Sequence, residues 1–140
     1  FIILDTNIDG WNISGKQLEF LKKSLANIKD STKNVFIFSH HLMWVTNKPE
    51  FQKVYPNSYH GRSINLNFWD RVFPLISNLV NDVYIFSGDV GAKTNGSELF
   101  YTKIANVTFV ASGMGGGLRD NFLIVSVIKG RVKIFFIPLN

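Results

Sequence analysis

Cysteine is absent from these 140 residues, which excludes a disulfide framework and a thiolate metal site and leaves the redox compartment open. Any metal must therefore be held by His, Asp, Asn or backbone oxygens. Long apolar runs are also missing. Stretches such as Phe1 to Leu4 and Phe135 to Ile137 fall far short of the roughly 20 residues that span a bilayer, so no membrane span is expected. Disorder is excluded by the composition, which is 46% hydrophobic and 18% charged with 13 Phe, the make-up of a packed globular domain. No low-complexity repeat interrupts it, and residues 1–140 read as a single domain.

Acidic residues are scarce beside basic ones, and the net charge is +5. Such a balance invites nucleic acid, but the basic residues do not form a stripe interleaved with aromatics. The tightest clusters are Lys22-Lys23 and Arg131 with Lys133. Nucleic acid is therefore not expected as the main partner, and a phosphorylated substrate suits the same charge.

Phe1 to Leu4 already has the pattern of a buried strand, with neither a Met start nor a charged leader before it, so the chain is expected to be the C-terminal part of a longer polypeptide. Asp5 to Gly10 is turn chemistry. Ser14 can cap a helix over 15–29, whose apolar positions Leu18, Leu21, Leu25 and Ile28 recur at three and four. Val35 to Phe38 reads as a buried strand ending in Ser39-His40-His41. From Met43 to about Ser63 the periodicity is lost in a long loop, a length that is often functional. A helical pattern returns from Asn67 to Val80, with Pro74 expected to kink or shorten it.

A second buried strand, Val83 to Phe86, ends in Ser87-Gly88-Asp89-Val90-Gly91. Leu99 to Ile104, Val107 to Ala111, Phe122 to Ile128 and Val132 to Ile137 then read as strands, with tight turns at Asn106 and Lys129-Gly130. This last third predicts an antiparallel meander. The fold class is therefore α/β (α+β), a layered β-sandwich flanked by helices.

The chemistry concentrates at two strand ends, Phe38-Ser-His40-His41 and Phe86-Ser-Gly88-Asp89. On neighbouring strands they would bring imidazole and carboxylate together, as a divalent metal site or an acid/base pair requires. The bland alternative, a strand-end His bonded to backbone and an Asp closing a turn, fits the same residues. Asp5-x-Asn7-x-Asp9-Gly10 imitates the start of a calcium loop. Lys16 stands where that loop needs Glu and a strand precedes it, so an Asx-rich turn is the better reading. Ser112 to Gly117 lacks the Lys-Ser/Thr ending and following helix of a phosphate loop, and is read as a mobile connection. His60 and Arg62 in the long loop are candidate substrate-binding residues. Asn12, Asn95 and Asn106 each begin an Asn-x-Ser/Thr triplet, a weak signal of glycosylation.

The order of elements resembles the C-terminal half of the calcineurin-like metallophosphoesterases, of the purple-acid-phosphatase-like kind. Gln17-Leu-Glu-Phe20-Leu21 matches that family's Gln-x-x-Phe/Trp-Leu helix, and His40-His41-Leu42 its strand-end His pair, with Leu where Pro is common. Gly88-Asp89-Val90-Gly91 occupies the place of Gly-His-x-His. The resemblance implies a hydrolase that uses two divalent metal ions, of Mn, Fe, Zn or Mg, to activate water against phosphorus. Carried over by position, His40 and Asp89 are metal ligands and His41, the outer neighbour, is the candidate catalytic residue. Gly91 supplies no ligand, so one of the two sites should be weakened. The family's Asp-x-His, Gly-Asp-x-x-Asp and Gly-Asn-His motifs do not occur in this sequence. The implied function is a phosphoesterase represented by its C-terminal part, with a catalytically degenerate binding or assembly module as the alternative. A part of this kind should expose an apolar face and self-associate.

Overall fold

The computed structural model describes residues 1–115 and 117–139. Its first strand is β1 (Ile2–Leu4), followed by α1 (Gly15–Ala26) and β2 (Asn34–Ser39). A single 3₁₀ turn over Pro49–Phe51 interrupts the long loop, and a π-wound turn over Phe68–Val72 leads directly into α2 (Phe73–Ser77). Then come β3 (Asp82–Ser87), β4 (Leu99–Ile104), β5 (Val107–Ser112), β6 (Asn121–Ile128) and β7 (Arg131–Pro138).

Five strands form one mixed sheet in the order β1-β2-β3-β5-β4. The first four in that order are mutually parallel, and β4 closes the edge antiparallel to β5. Parallel strands are covered on both faces, which is why they read as unbroken apolar runs rather than alternations. On one face Ile37, Val83, Ile85, Val107 and Phe109 are fully buried against Leu21 of α1 and Ile76 of α2. On the other, Phe36, Phe86 and Val110 pack against Leu123, Val132 and Ile134, which come from a separate two-stranded sheet, β6-β7. Helices, sheet and hairpin are thus three layers, as the mixed, layered class requires.

The sequence reading is corrected in three places. The expected meander is two hairpins in different sheets, because β5 pairs on its other side with β3 and not with β6. The helix over Asn67 to Val80 is shortened, as Pro74 implied, but Pro74 sits at the start of α2 and not inside it: the wider π turn ahead puts Pro74 where no helical N–H is required. Ser14 does begin α1, but its hydroxyl turns back to the Asp9 carboxylate instead of capping the helix. The expected turn at Lys129-Gly130 is present, both residues having positive φ, 52° and 80°, as a tight two-residue hairpin needs.

Candidate metal centre

Register brings the two strand-end motifs together. In the parallel β2–β3 pair Phe38 lies opposite Phe86 and Ser39 opposite Ser87, so the residues just beyond, His40-His41 and Gly88-Asp89, leave the sheet side by side. The two serine hydroxyls meet 3.1 Å apart in the buried layer. The Ser39 hydroxyl also donates to the His41 carbonyl, and the indole N–H of Trp44 donates to the Ser87 hydroxyl. Directly above, the Gly88 N–H donates to the His40 carbonyl at 3.1 Å. These bonds fix the backbone from which the ligand-type side chains project.

One ligand atom from each of His40, His41 and Asp89 lies within 4.8 Å of the others, and this is the only such group of three or more among the described residues. His40 is exposed and the other two are half-buried. Asp89 has φ 52°, a left-handed turn conformation that Asp adopts more readily than most residues with a side chain. Its Oδ2 is buried without a hydrogen-bond partner among the described residues. Burial pushes the Asp89 carboxyl above its usual range, while nearby His40 and the backbone N–H groups of Ser58 and Asn57 pull it down. A buried carboxylate oxygen without a hydrogen-bond partner, on a residue clustered with two imidazoles, is a donor set that a divalent cation can satisfy. The donor set therefore fits a metal ion.

His41 is held from behind. Its Nδ1 lies 2.8 Å from the Thr6 hydroxyl, which also accepts the His41 backbone N–H at 3.1 Å. Its ring stacks on Trp11, with centres 4.5 Å apart. Burial first, and the neighbouring His40 second, push the His41 imidazole below its ordinary value, favouring the neutral ring that can bind a metal or accept a proton. Asp5 to Gly10 serves this arrangement. Asp5 closes an Asx turn by accepting the Asn7 N–H at 2.9 Å, and Gly10 and Trp11 both take positive φ to bring the indole under His41. The calcium-like spacing thus builds a turn that delivers Thr6 and Trp11.

Asn57 is the second organiser. Its N–H donates to the Asp89 carbonyl at 2.7 Å, its amide donates to the Val90 carbonyl, and its side-chain oxygen accepts the Ala92 N–H. The long loop is thereby fastened over the Asp89 turn. Gly113 fastens it from the other side, because a Cβ there would fall 2.7 Å from the Val90 carbonyl oxygen. The glycine-rich segment joins β5 to β6 beside the site, as the connection between strands that was expected, and approaches the Asp89 turn closely; Gly116 lies outside the described residues. Gly91 is part of the same packing, with φ 111° and Gly113 against it, so its lack of a side chain answers a backbone demand.

The candidate substrate residues are not members of the three-residue cluster. His60 is exposed, with its N–H bonded to the Ser58 hydroxyl. The Arg62 guanidinium lies beside Trp11 and Tyr59, so Trp11 is shared between it and His41. A cleft of about 690 Å³ does reach His40, lined by Asp5, Phe38, Gly88, Met114 and Phe122 among others. Sequence reasoning missed Thr6, Trp11, Gln17 and Asn57. Of these, Gln17 alone carried a signal, as part of its helix motif, and its amide clamps both backbone groups of Asp5 where β1 ends. Of the three triplet asparagines, Asn95 is exposed, whereas Asn12 and Asn106 spend their side chains on internal bonds. Comparison with family models, curated proteins and solved structures found no match for the chain.

Proposed function

We propose that this chain carries part of the site of a metal-dependent phosphoesterase, with His40, Asp89 and His41 as its share of the machinery and a phosphorylated compound as substrate. The observation that supports the reading is the cluster of His40, His41 and Asp89 at the ends of parallel strands, where one Asp89 oxygen is buried and unpartnered among the described residues. Ligands in open mixed sheets bind beyond the carboxyl ends of strands, which is where this cluster stands. A bound divalent ion would supply charge to phosphate oxygens and make water acidic enough to attack at neutral pH.

The chain's own residues supply the rest. Asp89 and His40 hold the cation. His41, kept neutral by burial and fixed at Nδ1 by Thr6, can take or return a proton at its free ring nitrogen. The net charge of +5 favours an anionic substrate. A second metal would need ligands other than Gly91, whose positive φ excludes most side chains. That observation favours a second reading, in which the fold is a non-catalytic binding module retaining one metal site.

Calorimetric titration with Mn²⁺ tests the metal: one equivalent should bind, and His40→Ala should abolish it. Phosphorus relaxation of inorganic phosphate then tests the substrate class, because Mn²⁺ held at the cluster should broaden the phosphate signal and His40→Ala should remove the broadening. Steady turnover of an aryl phosphate by this chain alone is not expected, since a two-metal clamp needs more than three ligands. No metal binding would overturn both readings; binding without phosphate broadening would leave only the module.

A further inference from the structure

Beside the stack that supports His41, the long loop folds around a second, smaller hollow of about 280 Å³. Thr46, Asn47, Gln52, Tyr55, Tyr59 and Arg62 place polar side chains around it, and no acidic residue is among those that line it. Arg62 is its one cationic group. The turn that carries it is closed by the Arg62 N–H donating to the Tyr59 carbonyl at 3.1 Å, and its guanidinium carbon lies 5.7 Å from the ring centres of both Trp11 and Tyr59.

A guanidinium beside two aromatic faces is oriented before any ligand arrives, so little rotamer freedom remains to be lost on binding. Its charge is permanent. Yet neither of the ion pairs among the described residues, Lys103 with Asp82 and Arg119 with Glu98, includes it. Its Nε is buried and has no hydrogen-bond partner among the described residues. Since that nitrogen is closed to a ligand, an oxyanion in the hollow would meet the outer nitrogens of the guanidinium, for which no ion pair among the described residues competes, through charge-assisted hydrogen bonds. Around it, amides and hydroxyls from three separated stretches of loop can donate from several directions, which suits a tetrahedral oxyanion better than a planar one.

We infer that this hollow is an anion site that takes the phosphate group of a small molecule, held by Arg62 and the loop amides and hydroxyls. Its volume of about 280 Å³ lies just below the range of ligand pockets, about 300–1,000 Å³, so the ligand is a phosphate with at most a small substituent. None of His40, His41 and Asp89 lines the hollow, and the nearly buried Trp11, stacked on His41, also touches Arg62. The inference does not rest on the metal reading, and its test is carried out without metal.

Inorganic phosphate is titrated calorimetrically into the 140-residue chain in excess chelator, with glycerol phosphate and acetate as parallel arms. Saturable binding of inorganic phosphate is expected, weakened about tenfold or more by Arg62→Gln, as loss of a charged hydrogen bond implies, and unchanged by His40→Ala. Tighter binding of glycerol phosphate would identify an ester as the ligand, and equal or weaker binding would identify the free ion. Should Arg62→Gln fail to fold, Asn47→Ala with Gln52→Ala, both solvent-facing changes, must weaken binding in its place. Absence of saturable binding, acetate binding as tightly as phosphate, binding indifferent to the Arg62 and loop changes, or loss in His40→Ala would each overturn the assignment.

Discussion

At position 89 the backbone takes φ 52° for a residue with a side chain, and that side chain's Oδ2 is buried without a partner among the described residues. Both features cost folding free energy, and neither contributes to packing that another residue could not supply. Asparagine tolerates the left-handed backbone and carries no charge to desolvate. Asp89→Asn should therefore stabilise the metal-free chain by about 1 kcal/mol, the scale of one unsatisfied polar group. In Mn²⁺ the order should reverse, because a ligand that binds only the folded state stabilises wild type and not the variant. Urea unfolding in chelator and in Mn²⁺ reads both halves, and a variant less stable in both conditions would mean that Asp89 closes a turn and nothing more. Gly91 shows the same principle inverted. A ligand side chain there would face φ 111° and the Gly113 carbonyl oxygen, 3.4 Å from its Cβ.

Elements explain what could be read in advance and what could not. His40 and Asp89 were legible because each follows an apolar run and a serine, and parallel strands in register carry such motifs to the same edge. Thr6, Trp11 and Asn57 were not, since their roles depend on contacts 30 to 35 residues away in sequence. The meander failed for a related reason. Alternation and turn residues identify hairpins, but pairing β5 with β3 across a crossover is a long-range choice that neither signal reports. Asn106 shows how that choice is secured. From the turn between β4 and β5 its amide donates to the carbonyls of Ile76, Leu79 and Asn81, tying the end of α2 to the sheet. Asn106→Ala leaves those carbonyls short of a donor and should cost about 1–3 kcal/mol. Thermal unfolding would show it, and a loss below a few tenths would mean that water replaces the amide.

On the scale of the whole molecule, the β6–β7 hairpin stands out because it is apolar on both faces. Leu123, Val132 and Ile134 face the main sheet, while Phe122, Ile124 and Phe135 on the opposite face are 44–49% exposed. Among the described residues the hairpin pairs with no further strand, so its outer edges are open there, and open apolar edges template association. Toward the hairpin tip the same outer face changes character, with Arg131 and Lys133 beside Ile128. Two such faces meeting would bury apolar surface but bring like charges together. The net charge of +5 opposes association further, and salt screens that repulsion over about 10 Å at 0.1 M. The chain should therefore bind an apolar dye at low salt and self-associate increasingly as salt rises, a dependence opposite to that of an ion-paired dimer. Phe135→Lys, which adds charge at an exposed position without opening the core, should lower both dye binding and association. Sedimentation across salt concentrations decides it: a monomer at every salt concentration, with no dye signal, would show that this face is too small or too charged to act.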